Sequence, residues 1–431
     1  MASNKQDSGT GASSPFDRTA QHDAKRVAIL SQAAKLFNSK GSRATTLKDI
    51  AESLGLTKTS LYYYVKTKED LIYQCYMAAL DHHHAVLDTI DEQTQDPVEQ
   101  VSQFIRHYFD AWLAPIEGRD VHRAALLEIA SLKQDHRERI EASYIEMFKR
   151  LRGYIRSGST SGQFREVDAI SATRALIGSM EWVFYWLHLV PEGQMHSVAD
   201  EALNIIFNGL CPAGDTFEPA ELSFERVESA AAQGFNRAER NRMKQEAFFK
   251  TGTRFFNRAG FDGASLDDIA EHLNVSKGAF YYHIKNKEDL LYSCYSYSLD
   301  ITEAIYEEAG SSDSDGLRKT ERACRGIFHV QNSDQGPLIR YNTITSIPRQ
   351  RRQALLERTD ASNRRFGDFL RQGITDGSVR AVNTDTAQFL IAGAVNAAMD
   401  ISLWRRVDDI DAAAIDYFDL FFNGLTPRTP L

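Results

Sequence analysis

The chain contains a long internal repeat. Residues 41–76 align without a gap to residues 260–295, and 18 of the 36 aligned positions are identical. A second match pairs Ile206–Leu210 with Phe421–Leu425, near the end of each copy. Two copies of about 200 residues therefore account for most of the 431 residues. A period this long predicts two units that each fold on their own, rather than a stack of short repeats.

Charge is distributed unevenly along the chain. The formal net charge is −9, which excludes a uniformly basic surface for nucleic acid but not a local basic face. Residues 22–76 carry nine Lys and Arg against five Asp and Glu, and residues 236–295 carry ten against eight. The remainder of the chain is therefore acidic. We expect two mildly positive regions, which could face a polyanion, and an acidic remainder that points away from it.

Composition and hydropathy exclude several classes of protein. The four cysteines are far apart, which excludes a disulfide scaffold and a cysteine-rich zinc site and fits a reducing cytosol. The most apolar stretch, residues 176–190, is shorter than the ~20 residues of a membrane span and includes Glu181. Residues 1–22 lack the apolar segment of a signal peptide, and we expect them to form a disordered tail.

Local signals in copy one predict two helices with defined ends. Apolar residues recur at helical spacing over residues 26–39, and Gly41 is placed to end that helix. Thr46 and Asp49 have the spacing of a capping box at the start of the next helix.

A tight turn and a third helix follow in both copies. Gly55 interrupts the second helix, and Thr57 is placed to cap a short helix over residues 58–65. In copy two, Asn274 replaces the turn glycine and Ser276 replaces the cap. Asparagine tolerates the left-handed backbone conformation better than most residues. Each copy is therefore predicted to contain a helix-turn-helix.

These residues resemble a known family. TLKDIAESLGLTKTSLYYYVKTKEDL (46–71) and SLDDIAEHLNVSKGAFYYHIKNKEDL (265–290) are similar to the DNA-binding domain of the TetR/AcrR family of regulators. The resemblance implies an all-α fold in which each DNA-binding head is followed by a helical body for ligand binding and dimerisation. We divide the chain into a tail (1–22), head one (23–76), body one (77–210), a linker (211–236), head two (237–295) and body two (296–426).

The third helix of head one carries the predicted contacts to DNA. Leu61 and Val65 stand four residues apart and face inward, so the polar residues occupy the other faces. Lys58 could bond guanine and Thr59 could contact a thymine methyl group, because residues at the start of such a helix reach base edges. Core packing is the alternative for the three tyrosines, but three successive residues cannot all face one core. The predicted contacts in head one are Thr46, Lys48, Lys58, Thr59, Ser60, Tyr62, Tyr63, Tyr64 and Lys68.

Head two differs from head one at the predicted contacts. The equivalent positions are Ser265, Asp267, Lys277, Gly278, Ala279, Tyr281, Tyr282, His283 and Lys287. All of them except Asp267 are predicted contacts. An aspartate cannot replace Lys48 beside a phosphate, and Gly278 and Ala279 offer no side-chain hydrogen bond. We hypothesise that the two heads read different half-sites.

The family resemblance also implies how the bodies associate. In the family, the last two helices of two subunits form a four-helix bundle, and the matching segments are 168–190 with 198–210 and 384–404 with 411–425. Two unlike heads on one chain suggest an intramolecular pseudo-dimer, in which copy one packs on copy two. The alternative is a homodimer of whole chains with four heads.

Body one is rich in aromatic residues, which favour an apolar ligand pocket. The candidates are Phe104, Phe109, Trp112, Tyr144, Phe148, Trp182, Tyr185 and Trp186. The alternative for each is core or interface packing. The pattern loosely resembles family members that sense acyl-CoA thioesters or similar lipophilic ligands. Body two is more polar, which predicts that it has lost its ligand or binds an anionic one.

The sequence therefore predicts a ligand-responsive transcriptional regulator, most simply a repressor. Its partners are operator DNA and a small effector, and its location is the bacterial cytoplasm, associated with the nucleoid. Successive histidines at 82–84 point in different directions on a helix, so we expect no metal site and no cofactor. No phosphate loop or nucleophile motif supports an enzyme. The alternatives are a constitutive architectural DNA-binding protein with vestigial pockets and, more remotely, a helical enzyme.

Overall fold

The structure, a computed structural model, describes residues 15–222 and 237–428, which contain helices and turns and no strand. This confirms the all-α prediction. The helices of copy one are α1 (Pro15–Lys40), α2 (Leu47–Ser53), α3 (Lys58–Tyr62), α4 (Lys68–Gln93), α5 (Pro97–Ile116), α6 (Gln134–Ser161), α7 (Ala169–Trp186) and α8 (Val198–Asn208). Those of copy two are α9 (Arg237–Gly263), α10 (Leu266–His272), α11 (Lys277–His283), α12 (Lys287–Ser311), α13 (Gly316–Asn332), α14 (Arg349–Asp376), α15 (Thr384–Ala397), α16 (Ile401–Trp404) and α17 (Ile410–Asn423).

Short-range signals set the geometry of both heads. Thr46 and Asp49 form the predicted capping box, with each side chain accepting a hydrogen bond from the backbone of the other. The turn before α3 uses Gly55 at φ 65°, and the turn before α11 uses Asn274 at φ 54°. The substitution of asparagine for glycine thus preserves a left-handed turn, as expected.

Two predicted boundaries are corrected by the structure. Helix α1 begins at Pro15, inside the stretch that we expected to be disordered, because proline is well tolerated in the first turn of a helix. Residues 1–14 of the predicted tail lie outside the described residues. Helix α3 ends at Tyr62 rather than at residue 65. Its last turn tightens, since the Tyr64 amide donates to the Leu61 carbonyl three residues earlier at 2.9 Å.

The bodies meet where α7 crosses α15. Gly178 and Gly393 lie at the crossing, and a Cβ added to Gly178 would stand 2.4 Å from the Cβ of Ala397. A Cβ added to Gly393 would stand 2.5 Å from the Cβ of Trp182. Only glycine lets the two backbones approach this closely. Helices α8 and α17 complete the contact, so the four helices are those that the family resemblance implied.

The contacts between the two copies are reciprocal. Arg165 Nε donates to the carbonyl of Gly424 at 2.6 Å, and its equivalent Arg380 donates to the carbonyl of Gly209 at 2.6 Å. Each copy thus contributes the same residue type to the same kind of contact, as two subunits do across a two-fold axis.

The first part of the predicted linker packs on body two. Phe217 stacks on Phe422 with ring centroids 4.6 Å apart and exchanges backbone hydrogen bonds with the Asn423 amide. The Ala220 amide donates to Glu321, which is buried in body two. Residues 211–222 are therefore part of the folded body, and residues 223–236 lie outside the described residues.

Candidate nucleic-acid interface and effector cavity

Helix α3 presents polar residues to solvent and apolar residues to the core of head one. Leu61 and Val65 are buried, as predicted. Lys58, Thr59 and Ser60 are exposed in the first turn. The structure therefore places these three side chains where a DNA groove could receive them, and their contacts with DNA stay predictions.

The tyrosines of head one divide between surface and packing. Tyr62 and Tyr63 are 45% and 77% exposed. The ring of Tyr62 lies under the Lys58 ammonium, 5.6 Å from ring centre to Nζ. Tyr64 is half-buried, and its ring stacks on His22 of α1 with centroids 4.8 Å apart. Tyr64, which was predicted to contact DNA, therefore packs α3 against α1 through His22.

The structure engages two predicted phosphate contacts in hydrogen bonds within their own heads. The Lys287 ammonium donates to the carbonyls of Phe261, Asp262 and Ala264 at 2.7–3.2 Å, which occupies its three N–H groups. Lys68 donates to the carbonyl of Ser42 in the equivalent loop at 3.2 Å. The sequence did not reveal this role, because it depends on how the loop after the first helix folds back on the lysine.

Head two holds its predicted contact lysine in an ion pair. Lys277 Nζ lies 2.6 Å from an Asp267 oxygen, and the Tyr281 hydroxyl donates to the other oxygen at 3.3 Å. The hydrogen bond from Lys277 lowers the pKa of Asp267, and the same bond raises the pKa of Lys277. At the position of Asp267, head one has Lys48, which instead pairs with Glu52 on its own helix.

The rest of the α11 surface is apolar or aromatic. Gly278 and Ala279 are exposed at its start, and Tyr282 is 84% exposed. His283 is half-buried and lies against the ring of Phe248. Head two therefore offers fewer hydrogen-bonding side chains than head one.

The two heads touch each other and the opposite body. Arg43 of head one lies 3.8 Å from Asp262 and 3.3 Å from Glu288, and its guanidinium covers the ring of Phe261. A Cβ on Gly41 would stand 2.5 Å from Thr345 of body two. Each head is thus held against the other copy, which restricts how the heads move relative to each other.

A cavity of about 150 Å³ lies in body one and is closed on one side by α15. Three of the predicted pocket residues line it, namely Trp112, Trp182 and Tyr185. The other candidates do not line it: Phe104, Phe109, Tyr144, Phe148 and Trp186. Phe104, Phe109, Phe148 and Trp186 are buried in the core, and Trp186 stacks on Phe389 of copy two. Phe104, Phe109, Phe148 and Trp186 are thus corrected to packing roles, whereas the Tyr144 hydroxyl donates to Glu181 in the cavity wall.

Four charged residues that were not predicted as pocket residues also line the cavity. They are Arg123, Arg174, Glu181 and Arg340. Arg174 lies 3.3 Å from Glu181, and Tyr144 donates to the same carboxylate at 2.7 Å. An arginine in the apolar run of α7 is a signal that could have drawn attention to Arg174, since arginine is seldom buried without a partner.

His83 lines the same cavity, and its imidazole ring is neutral. Its ring stacks on Tyr108 with centroids 5.0 Å apart. Burial lowers the pKa of His83 to about 3, so it adds no charge to the cavity at neutral pH. Within residues 15–222 and 237–428, no group of three or more His, Cys, Asp or Glu side chains has an arrangement that could hold a metal ion.

The loop that forms one wall of the cavity is fastened to head one. The Asn38 amide of α1 donates to the Arg123 carbonyl at 2.7 Å and accepts from the Ala125 amide at 2.9 Å. In copy two, the equivalent Asn257 binds the Leu338 carbonyl and the Arg340 amide, both at 2.9 Å. In each copy, an asparagine side chain of the head is thus hydrogen-bonded to a loop of the body.

The contact between this loop and head one can be tested by varying the pH, because the pKa of Glu128 in the loop is shifted. Its carboxylate accepts a hydrogen bond from Ser42 of head one, and burial raises its pKa. A raised pKa means that the folded protein loses stability as the pH rises through that pKa. Glu128→Gln should therefore raise the melting temperature at pH 7.5, and its advantage should vanish near pH 4. Melting curves of the exposed-site control Glu138→Gln should show no such trend, and a difference independent of pH would contradict the assignment.

Among the described residues of body two, a cavity of about 670 Å³ has no aromatic side chain in its wall. The interior of body two contains a buried ion-pair network in which Arg325 binds Glu321 at 2.7 Å and Asp411 at 2.6 Å. The Arg325 guanidinium also donates to the Ala220 carbonyl of the docked linker. Among the described helices, none is long and apolar enough to span a membrane.

Comparison with known proteins identifies the family. The profile described as "Bacterial regulatory proteins, tetR family" matches residues 29–75 and again residues 249–294, which are the two heads. The chain belongs to the tetR family. A second profile, "Tetracyclin repressor-like, C-terminal domain", matches residues 94–210 of body one. The tetR-family chain therefore carries the family's DNA-binding domain twice.

Several repressors are similar to this tetR-family chain. The HTH-type transcriptional repressor KstR2 of Mycobacterium tuberculosis is 27% identical over 212 residues, which cover 46% of this chain and 100% of that protein. KstR2 of Rhodococcus jostii is 24% identical and covers 46% of this chain and 96% of its own length. Among solved structures, the TetR-family regulator PfmR of Thermus thermophilus is 29% identical, with a TM-score of 0.35 over 41% of this chain and 95% of PfmR.

Proposed function

We propose that the chain is a transcriptional repressor that binds operator DNA with both heads and releases it when a small lipophilic or acyl-CoA-like effector binds. One observation carries the proposal: two DNA-binding domains of the tetR family lie on one chain whose bodies pack through reciprocal contacts. Relatives named as repressors support the sign of regulation. With DNA as its partner, the protein would act in the bacterial cytoplasm, at the nucleoid.

The reciprocal contacts favour an intramolecular pseudo-dimer over a dimer of whole chains. In the tetR family, as the sequence resemblance implied, two subunits associate through their last two helices. Here those helices from the two copies, α7 with α8 and α15 with α17, already contact each other within one chain. The surface that a second chain would need is therefore occupied.

The cavity is placed to transmit effector binding to the heads. An effector can shift the protein toward release only if it binds the released arrangement more tightly than the DNA-bound one. Residues 123–130 supply cavity wall and are bonded to α1 through Asn38, so a ligand that displaces this wall also moves head one. The volume of about 150 Å³ favours a small ligand, or the tip of a longer acyl chain.

One observation favours the alternative of a constitutive DNA-binding protein. The Arg325 network fills part of the interior of body two, and the cavity there is lined by polar residues such as Gln331 and Asn332 rather than by aromatic ones. If the cavity of body one were also vestigial, no small molecule would alter DNA binding. A ligand that releases the protein from its operator would therefore support the ligand-responsive repressor and contradict the constitutive DNA-binding protein.

The experiment that tests the proposal is selection from random DNA with the full chain, followed by gel shifts with the enriched sequence. We expect an operator with two unlike half-sites, because the positions of Lys58 and Thr59 in head one are occupied by Lys277 and Gly278 in head two. The complex should contain one chain per operator. Recovery of a perfect palindrome, or a complex with two chains, would contradict the proposal.

A further inference from the structure

The cavity of about 670 Å³ in body two lies at the carboxyl end of α13. Its wall combines the end of that helix, the loop at 333–337, the segment at 407–410 and Arg254 of head two. The volume falls within the range of small-molecule sites in proteins. We propose that this cavity is a second ligand site, separate from the cavity of body one, and that it takes a neutral polyhydroxylated compound such as a monosaccharide. Its effect on DNA binding rests on the ligand response proposed above.

The side chain of Gln331 is the observation that points to a ligand. It lines the cavity and is only 7% exposed. Its amide oxygen is buried and accepts no hydrogen bond from the described residues. The last torsion of a glutamine is soft, so the amide can turn either its oxygen or its nitrogen to the cavity. A buried polar group without a partner destabilises a folded protein, and a bound molecule can supply the missing hydrogen bond.

The equivalent position in body one is a tryptophan. Asp96 and Asp315 cap α5 and α13, and they have the same spacing along the chain as the aligned heads. At that spacing Gln331 replaces Trp112, which lines the cavity of body one. A flat apolar side chain in one body is therefore an amide in the other, so the two cavities select ligands of different chemistry.

The charged residues of the wall do not require an ionic ligand. Arg254 donates to the Gly336 carbonyl at 3.1 Å, and Asp408 pairs with Arg406 at 2.6 Å. The third charged residue, Asp334, also takes part in an interaction within the protein. An anion in the cavity would lie near two carboxylates and a cation near a guanidinium, so a neutral ligand is favoured.

Hydroxyl groups match the uncharged part of the wall. The Asn332 amide nitrogen donates to the carbonyls of Phe328 and Ala398, so its oxygen is the end that a ligand can use. A hydroxyl group both donates and accepts, whereas an ammonium group only donates and a carboxylate only accepts. A polyol can therefore serve the amides of Gln331 and Asn332 and the hydroxyl of Ser402 together.

The cavity touches the helix that begins head two. Arg254 belongs to α9, and its hydrogen bond to Gly336 holds the cavity loop against that helix. Asn257, about one turn later on α9, binds the Leu338 carbonyl at 2.9 Å. A ligand that displaces this loop acts on head two, whereas the wall at 123–130 of the other cavity acts on head one through Asn38. The chain therefore has one ligand input for each head.

The test is isothermal titration of the full chain, without DNA, with glucose, myo-inositol and glycerol and with the charged analogues glucosamine and glucuronate. We expect saturable binding of at least one neutral compound at one site per chain, and at least tenfold weaker binding of both charged analogues. Gln331→Leu should abolish this binding. Without ligand, the same substitution should raise the melting temperature, because it removes a buried amide that lacks a partner.

A second glutamine provides the matched control. Gln353 is exposed on α14 and donates to Glu357 of its own helix, so Gln353→Leu should change neither the titration nor the melting temperature. No saturable binding of any neutral compound, tighter binding of a charged analogue, or unchanged binding by Gln331→Leu would overturn the site. A melting temperature lowered by Gln331→Leu would also overturn it, since the amide would then have a structural partner. Because these measurements use no DNA, their failure leaves the proposed repressor to be judged by the gel shifts on the selected operator.

Discussion

Replacing Lys58 with alanine should weaken operator binding by about 5- to 150-fold, the usual cost of losing one good contact to a base. Replacing Lys277 should weaken it by less than about threefold. The reason is that Lys58 is exposed over the ring of Tyr62, whereas Lys277 is engaged by Asp267. DNA must compete with that carboxylate for the Lys277 ammonium, and the carboxylate also repels phosphates. Fluorescence anisotropy on the selected operator measures both effects.

A double-mutant cycle isolates the role of the aspartate. In an Asp267→Asn background the ammonium of Lys277 is released, so Lys277→Ala should now cost more than it does in the parent protein. Lys149→Ala, at an exposed lysine of body one, controls for the general loss of positive charge. Equal losses of operator affinity for Lys58→Ala and Lys277→Ala, with no change in the Asp267→Asn background, would show that the ion pair has no influence on DNA binding.

The largest effect on stability is expected from Arg325→Met. The substitution preserves volume but leaves Glu321 buried, with 1% of its side chain exposed, and removes the bidentate partner of Asp411. Breaking a buried ion pair on one side costs about 3–5 kcal/mol of unfolding free energy. For a body of this size the melting temperature should fall by roughly 10 °C. Calorimetry of the full chain measures the change.

Two variants show whether the buried charge is the cause. Arg371→Met breaks an exposed ion pair with Asp368 in the same body and should change the unfolding free energy by less than about 1 kcal/mol. Arg318 stays 3.1 Å from Glu321 in the single variant. Adding Glu321→Met to Arg325→Met removes the buried carboxylate that Arg325 no longer neutralises and should recover much of the loss. A double variant as unstable as the single one would show that the loss comes from packing.

The parts of the molecule that the sequence predicted depend on neighbours along the chain. Thr46 and Asp49 are three residues apart, and Asn274 occupies its turn through its own backbone preference, so both could be inferred locally. The last helices of the two bodies could be matched to each other because the repeat aligns them. These features depend on residues that are close together along the sequence, or on contacts that the family resemblance implies.

The remaining features depend on contacts between distant residues. Arg340 reaches the cavity from another copy, and nothing near it in the sequence indicates that location. Aromatic residues of body one looked equivalent as pocket candidates, yet Phe104 and Trp186 face the core while Trp112 faces the cavity. Helical periodicity gives the buried side of a helix but does not distinguish a filled interior from a hollow one.

The contact between Arg43 and Asp262 has a consequence for how such a protein can evolve. The two residues occupy the same position in the aligned copies, and they face each other where the heads meet. In a dimer of identical chains, a residue at such a place would face its own twin, so arginine would oppose arginine and aspartate would oppose aspartate. Joining the copies into one polypeptide let each side mutate separately. Because the two sides of this contact differ, the pair of heads is not related by exact two-fold symmetry.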